Sequence, residues 1–64
     1  MSDSNNILEN WEGIKELVNA LELDIHKNAN GNKSAGVRAR RGLRQLKNDA
    51  GSLVKLTLNV EKTK

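Results

Sequence analysis

With 64 residues and a formal net charge of +3, the chain is long enough for a single domain over residues 1–64, and it contains neither cysteine nor proline. The lack of cysteine excludes disulfides and thiolate metal sites, and one histidine, His26, gives no histidine-rich metal site. A chain this short buries only a small core, so self-association is the remaining means of stabilisation. No apolar run could span a membrane and no signal-peptide pattern follows the polar start, so we expect a cytoplasmic protein.

The charge is divided unevenly between the two halves of the chain. Residues 1–32 hold six acidic and two basic residues, a net charge of −4, whereas residues 33–64 hold two acidic and nine basic residues, a net charge of +7. This asymmetry suggests either an anionic partner for the second half or two halves that attract each other.

The first predicted element is an amphipathic helix over about residues 4–28. Its apolar residues recur at alternating steps of four and three, which is the pattern of a single helical seam. We predict that this seam forms the core or a dimer interface, and its members are Ile7, Trp11, Ile14, Val18, Leu21 and Ile25.

The sequence NANGN predicts a turn at about residues 29–32. Glycine readily adopts the left-handed conformation that ends a helix, so Gly31 is the expected stop, and Asn32 can cap the next helix. A connection this short turns the second helix back antiparallel to the first.

The second predicted helix covers about residues 33–60. Its apolar positions again step by four and three, at Ala39, Leu43, Leu46, Ala50, Leu53, Thr57 and Val60, and the three leucines are predicted core or dimer-interface residues. Near the end, Val54, Leu56, Leu58 and Val60 alternate with polar residues, which is a strand pattern. Helix is favoured here because an isolated strand would have no partner strand.

Both seams carry additional apolar residues on their flanks, which are Leu8, Leu17, Leu23, Val54, Leu56 and Leu58. Two helices that face only each other cannot cover all of them. The sequence therefore predicts an all-α antiparallel helical hairpin that pairs, with two-fold symmetry, into a homodimer resembling a four-helix bundle.

The basic residues of the second helix cluster on one side of it. On a helical wheel, Lys33, Arg40, Arg44, Lys47 and Lys55 form a stripe beside the seam, and Arg38 and Arg41 widen it. A solvated helix face usually mixes charge signs, because like charges four residues apart repel. An anion-binding surface is therefore favoured over a solvated face. At the start of the helix, Lys33, Ser34 and the free N–H groups of the first turn could hold one phosphate.

No catalytic constellation emerges from the sequence. Gly31 and Gly36 have the glycine spacing of a phosphate-binding loop, but Val37 and Arg38 occupy the positions where Lys and Ser or Thr are required. Ser34 has no histidine base nearby in sequence. We therefore expect no enzymatic activity, no catalytic residue, no cofactor, no metal and no small-molecule substrate.

The stretch GNKSAGVRARRGLRQLKNDAGSLVKLTL resembles the N-terminal region of the small linker-histone-like nucleoid proteins of chlamydiae and related bacterial families. The shared pattern is a helix, a Gly-Asn-Lys turn, an alanine, two basic residues spaced by one and a long leucine-containing helix. Here it is carried by Gly31-Asn32-Lys33, Ala35 and the pair Arg38 and Arg40.

The resemblance implies DNA binding and compaction without strong sequence preference, and self-association through the helices. It assigns DNA contact to Lys33, Arg38 and Arg40. The chlamydial proteins continue into a Lys/Ala-rich tail that this sequence lacks, so DNA binding is expected from the folded stripe.

Sequence and resemblance together predict a non-enzymatic, homodimeric nucleoid protein that binds duplex DNA through its phosphates. The predicted DNA-contact residues are Lys33, Ser34, Arg38, Arg40, Arg41, Arg44, Lys47 and Lys55. Two alternatives stay open. One is a protein-interaction module whose basic face docks an acidic partner, or whose apolar flanks dock another helix. The other is an RNA-binding accessory protein. The sequence does not decide whether DNA is bent, bridged or coated.

Overall fold

The protein is an antiparallel hairpin of two α-helices, described by a computed structural model for the backbone of residues 3–63 and the side chains of residues 6–62. Helix α1 runs Asp3–Ala29 and helix α2 runs Lys33–Thr63. The two helices pack against each other along a molecule 48 Å long and 15 by 13 Å across. No strand occurs within residues 3–63, and this confirms the predicted all-α hairpin, including its last segment. Over the same residues, neither helix is long and apolar enough to cross a bilayer.

The turn is built from two overlapping capping motifs. Gly31 has a φ of 98°, and its N–H donates to the Asn28 carbonyl at 2.9 Å, while the Asn32 N–H donates to the Lys27 carbonyl at 3.0 Å. This pair of bonds is the Schellman arrangement that ends a helix. Asn32 then caps α2, because its Oδ1 accepts the Ala35 N–H at 2.9 Å. The predicted roles of Gly31 and Asn32 are confirmed.

Two contacts across the hairpin define its register. Leu21 lies directly over Gly42, and Asp24 pairs with Arg38. Because the helices are antiparallel, residue i of α1 therefore lies level with residue number 63 − i of α2, to within about one position. This relation places every other residue of the two helices along the hairpin.

The face that α1 turns toward α2 differs in part from the predicted seam. Its buried and half-buried members are Asn6, Ile7, Asn10, Ile14, Leu17, Leu21 and Asp24. Ile7, Ile14 and Leu21 belong to the predicted seam, but Trp11, Val18 and Ile25 are 48%, 47% and 43% exposed. The true seam is rotated by about 50° from the predicted one. These three residues lie outside the hairpin's own core, and their place at a dimer interface stays a prediction.

Helix α2 shows the same rotation. Its buried and half-buried positions include Ala35, Ala39, Gly42, Leu46, Asp49, Leu53, Leu56 and Val60. Leu43 is exposed, so it too lies outside the hairpin core, and its place at a dimer interface stays a prediction. The reason is the row of small residues at 35, 39 and 42, along which α1 can approach most closely, with the Leu21 side chain lying on Gly42. A line through Leu43 would hold the helices further apart.

We expect Gly42→Ala to destabilise the protein by about 1–3 kcal/mol, because the new Cβ would overlap the Leu21 side chain in a packed contact. This loss should outweigh the roughly 1 kcal/mol by which alanine favours a helix over glycine. Urea denaturation followed by circular dichroism measures the change.

The matched controls are Gly13→Ala and Gly51→Ala, where nothing lies within 4 Å of the added Cβ. Both are expected to stabilise the protein by up to about 1 kcal/mol. A Gly42→Ala variant as stable as Gly51→Ala would contradict the close approach of the two helices at this level.

Candidate nucleic-acid interface

A stripe of positive charge runs along the edge of α2 that points away from α1. We call it the basic stripe, and its members are Lys33, Arg40, Arg44, Lys47 and Lys55, all exposed. The structural seam places the stripe nearly opposite the buried face of α2, rather than beside it as the predicted seam did. From first to last residue it extends about 33 Å at the rise of an α-helix. That length matches one helical turn of B-DNA, which is about 34 Å.

Among the side chains of residues 6–62, no ion pair neutralises a charge of the basic stripe. The side-chain pairs among residues 6–62 are Lys15 with Glu12 at 2.8 Å and Arg38 with Asp24 at 3.1 Å, and neither uses a stripe residue. Each stripe side chain therefore presents its full charge to solvent. Such an arrangement attracts a polyanion.

Arg38 lies away from the basic stripe. Its Nε and Nη2 both lie 3.1 Å from Asp24 Oδ1, so it bridges the two helices beside their interface. The Asp24 side chain is only 20% exposed, whereas that of Arg38 is 53% exposed. The expectation that Arg38 widens the stripe is corrected, because the rotated seam brings it next to α1. Arg38 reaches solvent on the polar broad face of the hairpin, which it shares with Ser34 and Arg41.

The start of α2 offers two backbone donors beside the stripe. The Ala35 N–H bonds to Asn32 Oδ1 and the Gly36 N–H bonds to the Asn32 carbonyl at 3.1 Å. The N–H groups of Lys33 and Ser34 have no acceptor within the helix, since they belong to its first turn. Of the predicted contact set, Lys33 and Ser34 are therefore brought together at one helix end.

Sequence reasoning missed the acid at this site. Asp24 continues the series Leu17, Leu21, Asp24, which steps by four and three like the apolar series and thus lies on the inner face. Combined with the antiparallel turn, this spacing could have paired Asp24 with Arg38.

Within the described residues no group of three or more histidine, cysteine, aspartate or glutamate side chains could hold a metal ion.

Asp24→Asn is expected to strengthen duplex DNA binding more than Glu12→Gln, although both variants remove one negative charge. The first change releases Arg38 from its ion pair, whereas Glu12 is paired with Lys15 on α1. One additional phosphate contact would steepen the dependence of log K on log salt by about 0.9. Titrations at several salt concentrations measure this slope. Equal slopes for the two variants would show that Arg38 reaches no phosphate even when it is released.

The fold and the site together define a class of protein. A small helical hairpin with an exposed, acid-free basic stripe is a binder of polyanions, of the kind that contacts nucleic-acid backbones.

The model of the histone H1-like protein Hc1 family matches residues 8–62, so the chain belongs to this chlamydial-type nucleoid protein family. The match confirms the resemblance found from the Gly-Asn-Lys turn and the Arg38 and Arg40 pair. Membership makes the protein a histone-like, DNA-binding nucleoid protein, and the family is not a known class of enzymes. No curated protein and no solved structure gave a significant match to the chain.

Proposed function

We propose that the protein binds duplex DNA through its backbone phosphates, with little sequence preference, and compacts or organises DNA as a homodimer in the cytoplasmic nucleoid. The observation that carries this proposal is the basic stripe, which is exposed, free of acidic residues and about as long as one turn of the duplex. Contacts of arginine and lysine to phosphates supply affinity but carry no base information.

Recognition of phosphates rather than of bases is supported by the position of the aromatic side chain. The chain has one aromatic residue, Trp11, and it lies on α1, away from the basic stripe. Recognition of single strands relies on aromatic side chains stacked on bases, and the stripe provides none. The proposed ligand is therefore a duplex whose phosphates lie on either side of a groove.

The role of the individual residues follows from their chemistry. Arg40 and Arg44, one turn apart, can each grip a phosphate with two parallel N–H donors, while Lys33, Lys47 and Lys55 act as point charges further along the stripe. Ser34 and Arg41 lie toward the polar face, so they would contact the duplex only if it extends past the edge of α2. Arg38 can contact a phosphate when its ion pair with Asp24 breaks.

Titration of the full chain with random-sequence duplex DNA over a range of salt concentrations tests the proposal. If each protomer engages about four phosphates, log K should fall with log salt at a slope of about −3.6 per protomer. Failure to bind random duplex even at low salt would favour a protein-interaction module. A single sequence bound thousands-fold better than the rest would show base readout, and preference for duplex RNA would favour the RNA-binding alternative.

A further inference from the structure

One broad face of the hairpin is apolar and uncovered. On α1, three exposed apolar residues each come one position after a seam residue, at Trp11, Val18 and Ile25. On α2 the same is true of Leu43 and Ala50. Because the helices are right-handed and antiparallel, both sets lie on the same side of the hairpin. Together with Val54 they form what we call the apolar face, and all six are exposed in the single chain.

The apolar face is large enough to form the centre of a protein interface. By the register it extends from the level of Ile25 to that of Val54, about 24 Å of the 48 Å hairpin, and at a width of about 15 Å it covers roughly 360 Å² in projection. A standard protein interface takes about 800 Å² from each partner, with an apolar centre and a polar rim, and an exposed apolar patch of a few hundred Å² is often a contact surface. Among the described residues, the hairpin by itself buries two large side chains, Ile14 and Leu21, beside the small Ala35 and Ala39.

We infer that a second copy of this chain covers the apolar face, with α1 of each copy lying on α2 of the other and both turns at the same end. By the register, Trp11 lies within about two positions of the level of Ala50, so the largest side chain of the apolar face is close in height to its smallest one. A partner related by a two-fold axis along the hairpin therefore brings the partner's Ala50 close to Trp11 of the first copy. The result is a four-helix bundle in which all neighbouring helices are antiparallel.

The charges of the two helices favour a dimer with both turns at the same end over one with the turns at opposite ends. Helix α1 carries six acidic and two basic residues, a net charge of −4, and α2 carries two acidic and eight basic residues, a net charge of +6. With the turns at opposite ends, α1 would lie on α1 and α2 on α2, so that like charges face each other along the whole bundle. With the turns at the same end, each acidic helix lies on a basic one.

Individual residues at the rim fit the same arrangement. Glu22 borders a shallow groove of the apolar face between Val18 and Ile25, and it lies level with the partner's Arg40. Lys15 lies level with the partner's Lys47, but Glu12 pairs with Lys15 at 2.8 Å and offsets that repulsion. The rim therefore adds one new attraction for each copy.

The arrangement also decides how the dimer meets DNA, a consequence that rests on the proposed phosphate binding. The basic stripe points away from α1, so the two-fold axis along the hairpin directs the stripes of the two copies to opposite flanks of the bundle. One duplex cannot lie on both flanks without wrapping around the bundle, whose width is far below the persistence length of DNA, about 50 nm. The dimer would therefore bridge two duplexes.

The pairing can be measured without DNA. Sedimentation of the full chain at micromolar concentration is expected to give a dimer, and a monomer mass would overturn the inference. Because the chain has no native cysteine, Asn30→Cys accepts a single spin label at the turn. Turns at the same end predict a label separation below about 30 Å, since packed helices lie 8–10 Å apart. A separation above about 40 Å, as expected for turns at opposite ends of the 48 Å hairpin, would overturn the arrangement.

Surface variants show which face is used. Leu43→Asp is expected to give a monomer, whereas Leu23→Asp, on the outer side of α1, should leave the dimer intact. Trp11, which is half exposed in the single chain, gives a second readout: its emission should shift to longer wavelength in Leu43→Asp and stay unchanged in Leu23→Asp. A Leu43→Asp chain that remains dimeric with unchanged emission would overturn the assigned face.

Bridging is tested with two duplexes that carry a donor and an acceptor fluorophore. The parent protein is expected to bring them together, and the monomeric variant to bind each duplex without energy transfer. Dimers that bind DNA but give no transfer would overturn bridging alone. Dimers with close turns that bind no DNA would overturn the proposed function and leave the pairing in place.

Discussion

Replacing Leu21 with Asp is expected to unfold the protein at room temperature. Leu21 is 6% exposed and lies on Gly42 at the closest approach of the two helices. The change removes a buried leucine, which costs about 2–5 kcal/mol, and it also leaves a carboxylate in an apolar contact with no partner. A chain of this size has roughly 3–5 kcal/mol of stability from a single core. Circular dichroism should therefore show loss of the helical signal.

Leu23→Asp provides the matched control, because it makes the same chemical change on the same helix two residues away. Leu23 is 62% exposed and points away from α2, so its replacement should change the free energy of unfolding by less than about 0.5 kcal/mol. If both variants kept the parent's melting temperature, the seam through Leu21 would be misplaced.

The Arg40→Ala and Arg44→Ala double variant is expected to lose most of its affinity for every duplex sequence alike. Two phosphate contacts fewer would flatten the salt slope by nearly two, and would weaken binding roughly 60-fold per protomer at about 0.1 M salt. The fold should survive, since both side chains are exposed and neither forms an ion pair among the described residues. The measurement is a titration of random duplex at several salt concentrations, with circular dichroism to verify the helices.

A second double variant, Lys15→Ala with Lys27→Ala, removes the same charge from α1 instead of from the basic stripe. It should reduce affinity far less and leave the slope nearly unchanged. Equal losses in the two double variants would show that only the net charge matters and that the stripe has no special role. Replacing Arg40 by Lys should be milder than by Ala, because the charge stays and only the two-donor grip is lost.

The hairpin itself is predictable from the sequence because its signals are local. Gly31 and Asn32 specify the turn by backbone conformation and capping, and the steps of four and three on either side specify helices. The strand-like alternation near the end has a simple origin in the structure. Leu56 and Val60 belong to the inner face of α2, while Val54 and Leu58 are exposed, so two apolar surfaces of one helix appear as an alternation.

The rotation of each helix is not predictable in the same way. Helix α1 has two possible apolar seams that share Ile7, Ile14 and Leu21 and differ by about 50°. The seam with more apolar residues, which contains Trp11, does not face α2. The seam with Asn10 and Asp24 faces it instead, because the rotation of α1 depends on how it packs against the other helix. The small residues of α2, and Gly42 above all, set the line of closest approach, and that is a property of the pair.

The basic stripe was recognisable from spacing alone, since its members share one side of α2 wherever the seam lies. The position of Arg38 was not, because it depends on the rotation of α2 and on the acid that α1 brings beside it. Periodicity thus identifies which charges lie together on one helix. It does not identify which charges a neighbouring helix will neutralise.

The core of the hairpin is unevenly distributed along its length, and this should shape how the chain folds. The most buried positions, Ala35, Ala39 and Leu21, lie in the half next to the turn, whereas Leu53, Leu56 and Val60 toward the other end are only half-buried. Contacts near the turn also close the shortest loops, so they cost the least chain entropy. Folding should therefore start at the turn and proceed toward the open end of the hairpin. Backbone amides should exchange with deuterium fastest at that open end.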